Sequence, residues 1–387
     1  MRGGVVGGLR TRARGAAHGT AGACVCGTAG DVLAERDDGV VVRHGGVVAK
    51  AHAGDTDTGD LAVRLALASH PALHGILLPP LTGPTDPTDP PDPTDPPAPP
   101  DPTDPADHTD PPGQTDPADR TGPPDRTDPP GQTDPADRTG PPGPLAGRPV
   151  SLWPYGAPVD PASPELAPWE AAGDLLARLH RVDTARLAAL PGPLPPMRGP
   201  AKAARAVRRM RATTPEPLDA VARYGDAGAV ARVEAAWRTL PSWARDEAPP
   251  PPSRTLCHGD LHLGQLVRAP ATPSSPDDGP WLLIDIDDLG VGDAAWDLAR
   301  PAAWFACGLL GPGEWARFLG AYRSAGGPAV PATADPWPAL DVAARTLTVQ
   351  TAALAIVRSR REGRPPDEDE HAVIDACGRM AGTPMAE

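Results

Sequence analysis

The chain has 387 residues and a formal charge of −14, and it lacks the basic surface pattern by which nucleic-acid-binding proteins are recognised. Its 56 prolines and 4% aromatic residues are unusual for a fully packed globule, which indicates that part of the chain lies outside any hydrophobic core. Five scattered cysteines without metal-site spacing favour reduced thiols in a cytoplasmic protein, and no apolar run reaches the length of a membrane helix.

The first 82 residues divide into a leader and a region in which strands are predicted. Residues 1–30 carry arginines and many glycines without a continuous apolar stretch, so we expect a disordered leader and not a signal peptide. Turn signals flank Val40–Val42 and Val47–Ala49, which predicts strands joined by tight turns within 31–82. Lys50 continues the last of these strands and is one of only two lysines in the chain.

A helix is predicted after these strands, because Leu61, Leu65 and Ala68 share one helical face. Asp60 stands where the N-cap of this helix is expected. The apolar segment Ile76–Leu78 then predicts another short strand.

The segment 83–145 is a low-complexity insert rich in Asp, Pro and Thr. It contains fourteen aspartates and three arginines, so most of the negative charge of the chain lies in it. Its residues 111–124 recur unchanged at 129–142, a period of eighteen. A segment with this density of proline and charge cannot bury enough apolar area to offset the entropy of ordering. We therefore expect a disordered, extended insert.

An ordered region is predicted again after the insert. Residues 146–157 predict one further strand followed by Pro and Gly, a pattern typical of a connection between two lobes. From 158 to 387 the apolar spacing is mainly helical, with one helix starting after Pro168 and a long final helix over 340–360.

The most informative polar residues lie in the C-terminal half of the chain. An HGD triplet ending at Asp260 stands between apolar residues, and Gln265 follows this aspartate by five positions. The apolar run Trp281–Ile284 predicts a short buried strand, and Asp285 stands at its end. Because rigid scaffolds present functional side chains where their elements end, Asp260, Gln265 and Asp285 are candidate site residues.

A phosphoryl-transfer enzyme needs residues of these types. One carboxylate accepts the proton of the attacking hydroxyl, while an amide oxygen and a second carboxylate hold magnesium on the nucleotide phosphates. Protein kinases use the same offset of five between the aspartate and the amide residue, with a later aspartate after a strand. The ordered motifs HGD, ID, GD and DLA resemble those of the aminoglycoside phosphotransferase and choline kinase superfamily, and the string HGDLHLGQ is similar to that of maltokinases.

The resemblance implies an α+β, bilobal protein-kinase-like fold with a small β-rich N-lobe and a larger helical C-lobe. The N-lobe would contain 31–82 and 146–157, of which the second also supplies the hinge, and the C-lobe would contain 158–387. Backbone groups near Trp153 and Tyr155 would bind the adenine of the nucleotide at the hinge.

The resemblance also implies a phosphotransferase that uses ATP and Mg²⁺ and acts on a hydroxyl group of a sugar, an aminoglycoside or an amino alcohol. Asp260 would be the catalytic base, and Gln265 and Asp285 would hold the metal. Lys50 would hold phosphate oxygens. The expected partners are the nucleotide and the small-molecule acceptor, and we expect no nucleic-acid or membrane partner.

Further residues of the same segment are expected to support the site. His258 would brace the catalytic loop, and His262 would pack beside it or contact the substrate. Asp293 would cap the helix that follows it, and Asp297 would tie that helix to the catalytic loop. Asp287–Asp288 are expected to be solvated acidic residues, with assistance in holding magnesium as the alternative.

Two other functions are compatible with the sequence. The helix after Lys50 lacks the glutamate with which kinases pair this lysine, and Gln265 replaces the commoner Asn, so a nucleotide-binding pseudokinase with a regulatory role is the alternative. On a strand, His258, Asp260 and His262 would face one way, as the ligands of a metallohydrolase would.

Overall fold

The computed structural model describes residues 2–18, 30–36, 39–81, 143–213, 220–269 and 279–382. By its contacts the chain divides into two units, and the first, which is compact, combines Met1–Leu81 with Pro142–Glu387. The second, Thr82–Pro141, lies outside the described residues. The predicted Asp-Pro-Thr insert, 83–145, lies outside the described residues except for its last three.

The N-terminal part of the fold is a four-stranded antiparallel sheet with the strand order β1-β2-β3-β4. Its strands are β1 Asp31–Arg36, β2 Gly39–His44, β3 Val47–Ala51 and β4 Val150–Pro154. Burial alternates along β2 and β3, as expected when only one face of a sheet is fully covered. Lys50 therefore lies on the opposite face from the buried residues Ala49 and Ala51.

The covered face of the sheet packs against helix α1, Arg2–His18. The buried side chains of this cluster are Val5, Leu9, Ala13, Val40, Val42, Val47, Ala49, Ala51 and Val150. The prediction of a disordered leader over 1–30 is thus wrong for 2–18, because apolar residues at a spacing of four give this glycine-rich segment a narrow stripe that completes the N-terminal core. Residues 19–29 of the predicted leader lie outside the described residues.

Helix α2, Thr58–Ser69, follows the first three strands. A carboxylate oxygen of Asp57 accepts a hydrogen bond from the backbone N–H of Asp60 at 2.9 Å, so Asp57 is the N-cap. The prediction that Asp60 occupies the cap is wrong, because Asp57 has the same capping chemistry and starts the helix one turn earlier. The helix buries Arg64, whose Nε donates to the backbone oxygen of Leu289 at 2.8 Å.

The segment Ile76–Leu78 makes isolated contacts and does not form the predicted strand. Leu77 makes a parallel bridge with Leu283, and the N–H of Leu78 donates to the backbone oxygen of Leu283 at 2.9 Å. Gly75 has φ 72°, and two prolines follow Leu78. The segment cannot extend into a ladder, since the turn at its start and the missing N–H groups at its end interrupt the pairing.

The C-terminal part of the fold is mainly helical. Its helices are α3 Trp169–His180, α4 Gly199–Ala212, α5 Ala220–Thr239, α6 Ala295–Cys307, α7 Pro312–Ser324, α8 Trp337–Glu362 and α9 Glu368–Ala381. Its short strands are β5 Ala157–Pro158, β6 Thr255–Cys257, β7 Leu266–Arg268, β8 Trp281–Leu283 and β9 Gly290–Gly292. They form a β5-β7-β8 sheet and a β6-β9 pair. The prediction of an α+β fold, with a small β-rich part and a larger helical part, is confirmed.

Helix α8 is the one helix of the described chain that is long and apolar enough to cross a membrane. Its 26 residues contain an apolar window of which 72% is buried inside the fold, as in the core helix of a globular domain. The sequence analysis counted only uninterrupted runs of apolar residues, and polar residues interrupt the apolar run in α8 although the helix itself is continuous.

We expect deletion of the Asp-Pro-Thr insert to preserve the fold. Joining Gly83 directly to Gly143 shortens a connection, and the free energy of loop closure changes by only about 0.6 kcal/mol per doubling of loop length. Leu145 is retained because it packs against Gly8 of α1. Thermal melting should place the midpoint of this variant within a few degrees of the parent.

A longer deletion that also removes Leu145 is the matched control. We expect it to lower the free energy of unfolding by roughly 1–2 kcal/mol, since a half-buried leucine side chain is lost. Insolubility of the variant that retains Leu145 would contradict the prediction.

Candidate active site

The HGD loop, His258–Asp260, follows strand β6 and requires a glycine at its centre. Gly259 has φ 84°, a backbone conformation that favours glycine. A Cβ at this position would also overlap the backbone oxygen of Asp288. The glycine therefore lets the loop approach the turn that contains Asp288 and places Asp260 beside it.

Asp297 on α6 holds this loop through two hydrogen bonds and makes a third to α3. Its carboxylate accepts the backbone N–H groups of His258 and Gly259 at 2.6 and 2.7 Å, and it lies 2.9 Å from Nε2 of His180. Burial opposes ionisation of this carboxyl group, but its hydrogen bonds with His180 and with the N–H of Gly259 hold the pKa of Asp297 below its usual value. Nδ1 of His180 lies 2.8 Å from the hydroxyl of Tyr322, which extends the network into α7.

Two further hydrogen bonds fix the neighbourhood of the loop. Asp293 accepts the backbone N–H of Ala295, the first residue of α6, at 2.9 Å, although Ala294 holds the N-cap position by backbone geometry. Nε2 of His258 lies 2.8 Å from the backbone oxygen of Ile284, so His258 links the HGD loop to the end of β8.

Lys50 lies at the centre of a first group of charged residues. Its Nζ is 2.6 Å from Asp285 and 2.9 Å from Asp287, whose other oxygen lies 2.7 Å from Nδ1 of His52. Nε2 of Gln265 donates to the second oxygen of Asp285 at 3.1 Å. Burial opposes protonation of the lysine, yet Asp285 and Asp287 raise the pKa of Lys50 above its usual value. This group brings Lys50, Gln265 and Asp285 together.

Asp285 adopts a backbone conformation that is uncommon for a residue with a side chain. Its φ is 66° and its ψ 75°, in the left-handed region. Strain of this kind costs of order 1–3 kcal/mol and clusters at functional sites. The conformation ends strand β8 and turns the carboxylate towards Lys50.

Asp260 lies in a second group of charged residues. One of its carboxylate oxygens is 2.5 Å from Arg300 and the other 2.8 Å from Nζ of Lys202, which is also 2.6 Å from Asp288. Arg198 donates to the other oxygen of Asp288 at 2.8 Å. Burial opposes ionisation of Asp260, but Lys202 and Arg300 outweigh it and lower the pKa of Asp260 to about 2.

The sequence analysis missed Lys202 and Arg300 as site residues. Lys202 is the second of the two lysines in the chain, so its rarity was a usable signal, whereas Arg300 is one of many arginines. The expectation that Asp287–Asp288 are solvated is wrong. Asp288 is 6% exposed and Asp287 is paired with Lys50, because the 3-10 turn Ile286–Asp288 brings both carboxylates inward.

Two cavities are lined by residues of these two charged groups. The first cavity has a volume of about 450 Å³ and is bounded by Lys50, Gln265 and Asp285. The second cavity has a volume of about 830 Å³ and is bounded by Asp260 and the cations that pair with it. His262 lines both cavities. The structure thus places Asp260 in a different cavity from the other three predicted residues, with one shared wall.

The first cavity extends to the segment that joins the two parts of the fold. Trp153 and Tyr155 line it together with apolar side chains of both parts, among them Val48, Leu78, Val267 and Ile284. The N–H of Tyr155 already donates to the backbone oxygen of Gly46 at 2.8 Å. The indole N–H of Trp153 donates to the hydroxyl of Ser151 at 2.8 Å. A ligand in this cavity would therefore need other backbone groups of the segment.

His262 adopts one tautomer in the wall between the cavities. Its Nδ1 accepts the backbone N–H of Gly264 at 3.0 Å, so Nε2 carries the proton. Burial, together with the nearby charge of Arg300, lowers the pKa of His262 to about 4. The ring is therefore neutral at physiological pH.

We expect the neutral His262 to make stability depend on pH. Its folded pKa of about 4 lies below the usual value of 6.5, so the unfolded chain binds more protons between these values and the free energy of unfolding falls as pH falls from 6.5 to 4. The change is on the order of 3 kcal/mol. His262→Gln should reduce the drop in melting temperature between pH 7 and 5, while the exposed His74→Gln should retain it. An equal drop in all three proteins would refute the assignment.

The metallohydrolase alternative finds no support in the described part of the chain. His258, Asp260 and His262 are directed to different partners, namely a backbone oxygen, two cations and a backbone N–H. The cluster of described side chains that could hold a metal ion is His180, Cys257 and Asp297. These three are buried, and Asp297 already accepts hydrogen bonds from the HGD loop.

Comparison with known proteins gives one family match. A family model described as a phosphotransferase enzyme family, abbreviated APH, matches residues 138–337, which is more than half of the chain. No curated protein matches the sequence.

Several solved structures are similar to this chain. A choline/ethanolamine kinase family protein from Mesorhizobium loti is 14% identical, with 98% of this chain and 96% of that chain covered and a TM-score of 0.48. A macrolide 2'-phosphotransferase from Brachybacterium faecium is 16% identical, covering 92% and 93% at a TM-score of 0.41. A spectinomycin phosphotransferase in complex with ADP and spectinomycin is 12% identical, covering 92% of each chain at a TM-score of 0.48.

Proposed function

The chain belongs to the phosphotransferase enzyme family, and we propose that it transfers the γ-phosphoryl group of ATP, with magnesium, to a hydroxyl group of a small molecule. One observation carries the proposal. Lys50, Gln265 and Asp285 converge on one wall of the first cavity, and Asp260 lies in the adjoining second cavity. This arrangement provides a compartment for a nucleotide and a separate one for an acceptor, with His262 between them.

The residues in the first cavity fit a magnesium-bound nucleotide. Magnesium prefers oxygen ligands, and the carboxylates of Asp285 and Asp287 lie side by side around Lys50. The metal would neutralise phosphate charge. Lys50 now compensates both carboxylates, and its ammonium would turn to phosphate oxygens once they are near. Gln265 would have to turn its amide to contribute an oxygen, because its nitrogen faces Asp285 in this structure.

The apolar part of the first cavity suits a flat base. Val48, Leu78 and Ile284 supply apolar walls, and a volume of about 450 Å³ lies within the usual range of ligand pockets. Adenine would be held by these walls and by the backbone of the segment around Trp153 and Tyr155, apart from the N–H of Tyr155, which is already bonded.

Asp260 would orient the acceptor hydroxyl and take its proton. In the transfer the acceptor oxygen forms a bond to the γ-phosphorus and the bond from that phosphorus to the β,γ-bridging oxygen breaks. The electron pair of this bond leaves with ADP, and the hydroxyl proton goes to the carboxylate of Asp260. With a pKa of about 2, Asp260 is ionised at neutral pH but is a weak base. It would position the hydroxyl and accept its proton late in the reaction, when the hydroxyl has become more acidic.

A direct test measures ADP formation with magnesium, ATP and a broad set of hydroxyl-bearing acceptors, together with titration calorimetry of ATP. We expect binding of Mg-ATP and acceptor-dependent release of ADP. A protein that binds no nucleotide and phosphorylates none of the acceptors would refute the proposal.

Lys50→Met is expected to weaken ATP binding or turnover at least tenfold. An ammonium that contacts phosphate oxygens would be lost, and Asp285 and Asp287 would repel the phosphates without it. The variant should also melt at a lower temperature without magnesium, because two largely buried carboxylates lose their shared counter-charge. Added magnesium should restore part of this stability.

The measurements are calorimetric ATP titration and thermal melting with and without magnesium. Arg317→Met is the matched control, since its exposed ion pair with Glu170 lies away from both cavities. Normal turnover of Lys50→Met would remove this lysine from the site.

A further inference from the structure

Gln350 on α8 presents a polar side chain to the second cavity. The residue as a whole is 6% exposed, and its amide makes no hydrogen bond with any residue that the structure describes. Most side-chain polar groups inside a fold have a hydrogen-bond partner. Because this glutamine lines both the second cavity and a narrow pocket beside Asp260, its amide is available to a ligand there.

The narrow pocket places Gln350 among the groups that surround Asp260. It is lined by Gly199, Lys202, Gly259, Asp260, Leu261, Trp296, Arg300, Leu347 and Gln350. The indole N–H of Trp296 is buried and has no acceptor among the described residues. The pocket thus has the Gln350 amide and Trp296 in its lining, beside the carboxylate that would receive the acceptor hydroxyl.

The polar groups that line the narrow pocket can form hydrogen bonds with hydroxyl groups of a ligand. An amide donates through its nitrogen and accepts through its oxygen, and a hydroxyl likewise does both. The ammonium of Lys202 and the guanidinium of Arg300 can donate to further oxygens. A site with several donors and one free amide oxygen matches a molecule that carries adjacent hydroxyl groups.

The charges of the second cavity disfavour a cationic acceptor. Its acidic residues other than Asp260 are mostly engaged: Glu370 pairs with Arg358 and Arg364, Glu362 pairs with Arg364, and Asp367 caps α9. By contrast, Arg209 has no carboxylate partner in the described ranges, and Lys202 and Arg300 lie directly on Asp260. An ammonium group near Asp260 would meet two cations of like charge.

We propose that the acceptor is an uncharged polyhydroxyl compound of the sugar class and that Gln350 is a specificity-determining residue that binds one of its hydroxyl groups. This inference rests on the proposed phosphotransferase function. A site built to hydrogen-bond a hydroxyl discriminates strongly against an analogue that cannot satisfy its buried groups. Compounds with ammonium groups at the corresponding position are poor acceptors because the ammonium would be repelled by Lys202 and Arg300.

The test compares matched acceptors under one condition. ADP formation with Mg-ATP is measured for glucose, maltose, trehalose and sorbitol, and for glucosamine, kanamycin, ethanolamine and choline at equal concentration, against a sample without acceptor. We expect at least one uncharged compound to raise ADP formation, with kcat/KM at least tenfold above that of any amine in the set.

Variants of Gln350 test the residue itself. Gln350→Leu should raise KM for the preferred acceptor at least tenfold and leave KM for ATP unchanged. Gln350→Met, which keeps the length of the side chain and removes the amide, should do the same if the leucine variant fails to fold. Thr351→Val is the matched control, because its hydroxyl bonds to Leu347 of its own helix at 2.8 Å. It should change neither KM.

The outcomes separate this inference from the proposed function. Phosphorylation of amines in preference to uncharged compounds, or no response to any uncharged compound, would overturn the inference. If the protein nevertheless binds Mg-ATP and transfers phosphate to an amine, the proposed phosphotransferase function stands. An unchanged acceptor KM in both Gln350 variants would also overturn it. Absence of nucleotide binding and of any transfer would refute the function itself.

Discussion

Asp260→Asn is expected to lower turnover at least a hundredfold, the usual scale for the loss of a positioned base, while binding of Mg-ATP stays close to that of the parent. The residues proposed to hold the nucleotide, Lys50, Gln265 and Asp285, line the first cavity, and Asp260 is not part of that lining. The amide of Asn can still accept a hydrogen bond from a hydroxyl, but it cannot take the proton. The change therefore separates catalysis from nucleotide binding.

The surroundings of Asp260 should tolerate the loss of its charge. Lys202 keeps Asp288 as a partner at 2.6 Å, and Arg300 keeps a hydrogen bond to the backbone oxygen of Leu261 at 3.1 Å. We therefore expect a modest change in melting temperature. Single-turnover kinetics and calorimetric ATP titration would measure the two effects, with the exposed Asp369→Asn of the same cavity as control. Normal turnover of Asp260→Asn would refute its assignment.

Local spacing is sufficient to identify Lys50, Gln265 and Asp285, the three residues that converge in the first cavity. Gln265 and Asp285 flank a two-strand unit, β7 and β8, whose length determines where each lies. Lys50 is found by its place in a Val-Val-Ala-Lys strand. In these cases a single element and its end determine the position, so periodicity and turn signals carry the information.

The partners of Asp260 could not be predicted in the same way. Lys202 is 58 positions before it and Arg300 40 positions after it, and each belongs to a helix whose register relative to the HGD loop depends on tertiary packing. The N-terminal helix was missed for a related reason. Its stripe of Val5, Leu9 and Ala13 is too narrow to indicate a helix until the sheet face that it covers is known.

The ion pairs of Lys50 show how this lysine is neutralised without the glutamate that kinases have in the following helix. The sequence lacks a glutamate in α2, which motivated the pseudokinase alternative. In the structure Asp285 and Asp287 both contact Lys50, and α2 instead buries Arg64 against the backbone of Leu289. The lysine therefore has carboxylate partners without any from the helix, and the absence of the glutamate is no argument against its use in the site.

Asp285→Asn should abolish the magnesium dependence of ATP binding and lower turnover by at least a hundredfold. The neutral amide can no longer provide an anionic metal ligand. Asparagine tolerates the left-handed region better than most residues with a side chain, so the φ of 66° at this position can persist and the change isolates the charge. Lys50 would retain Asp287 at 2.9 Å, which limits the structural response.

Asp285→Ala distinguishes the lost charge from a disturbed backbone. Alanine is less compatible with the left-handed conformation, so this variant should lose stability of order 1 kcal/mol beyond that of Asp285→Asn and should show the same loss of the magnesium effect. Calorimetric titration of ATP with and without magnesium measures the binding, and thermal melting measures the stability. If Asp285→Asn binds Mg-ATP like the parent and turns over normally, the metal ligand must lie elsewhere, and the neighbouring carboxylate of Asp287 becomes the residue to change. If both variants lose nucleotide binding equally with and without magnesium, the carboxylate acts by holding Lys50 and not by holding the metal.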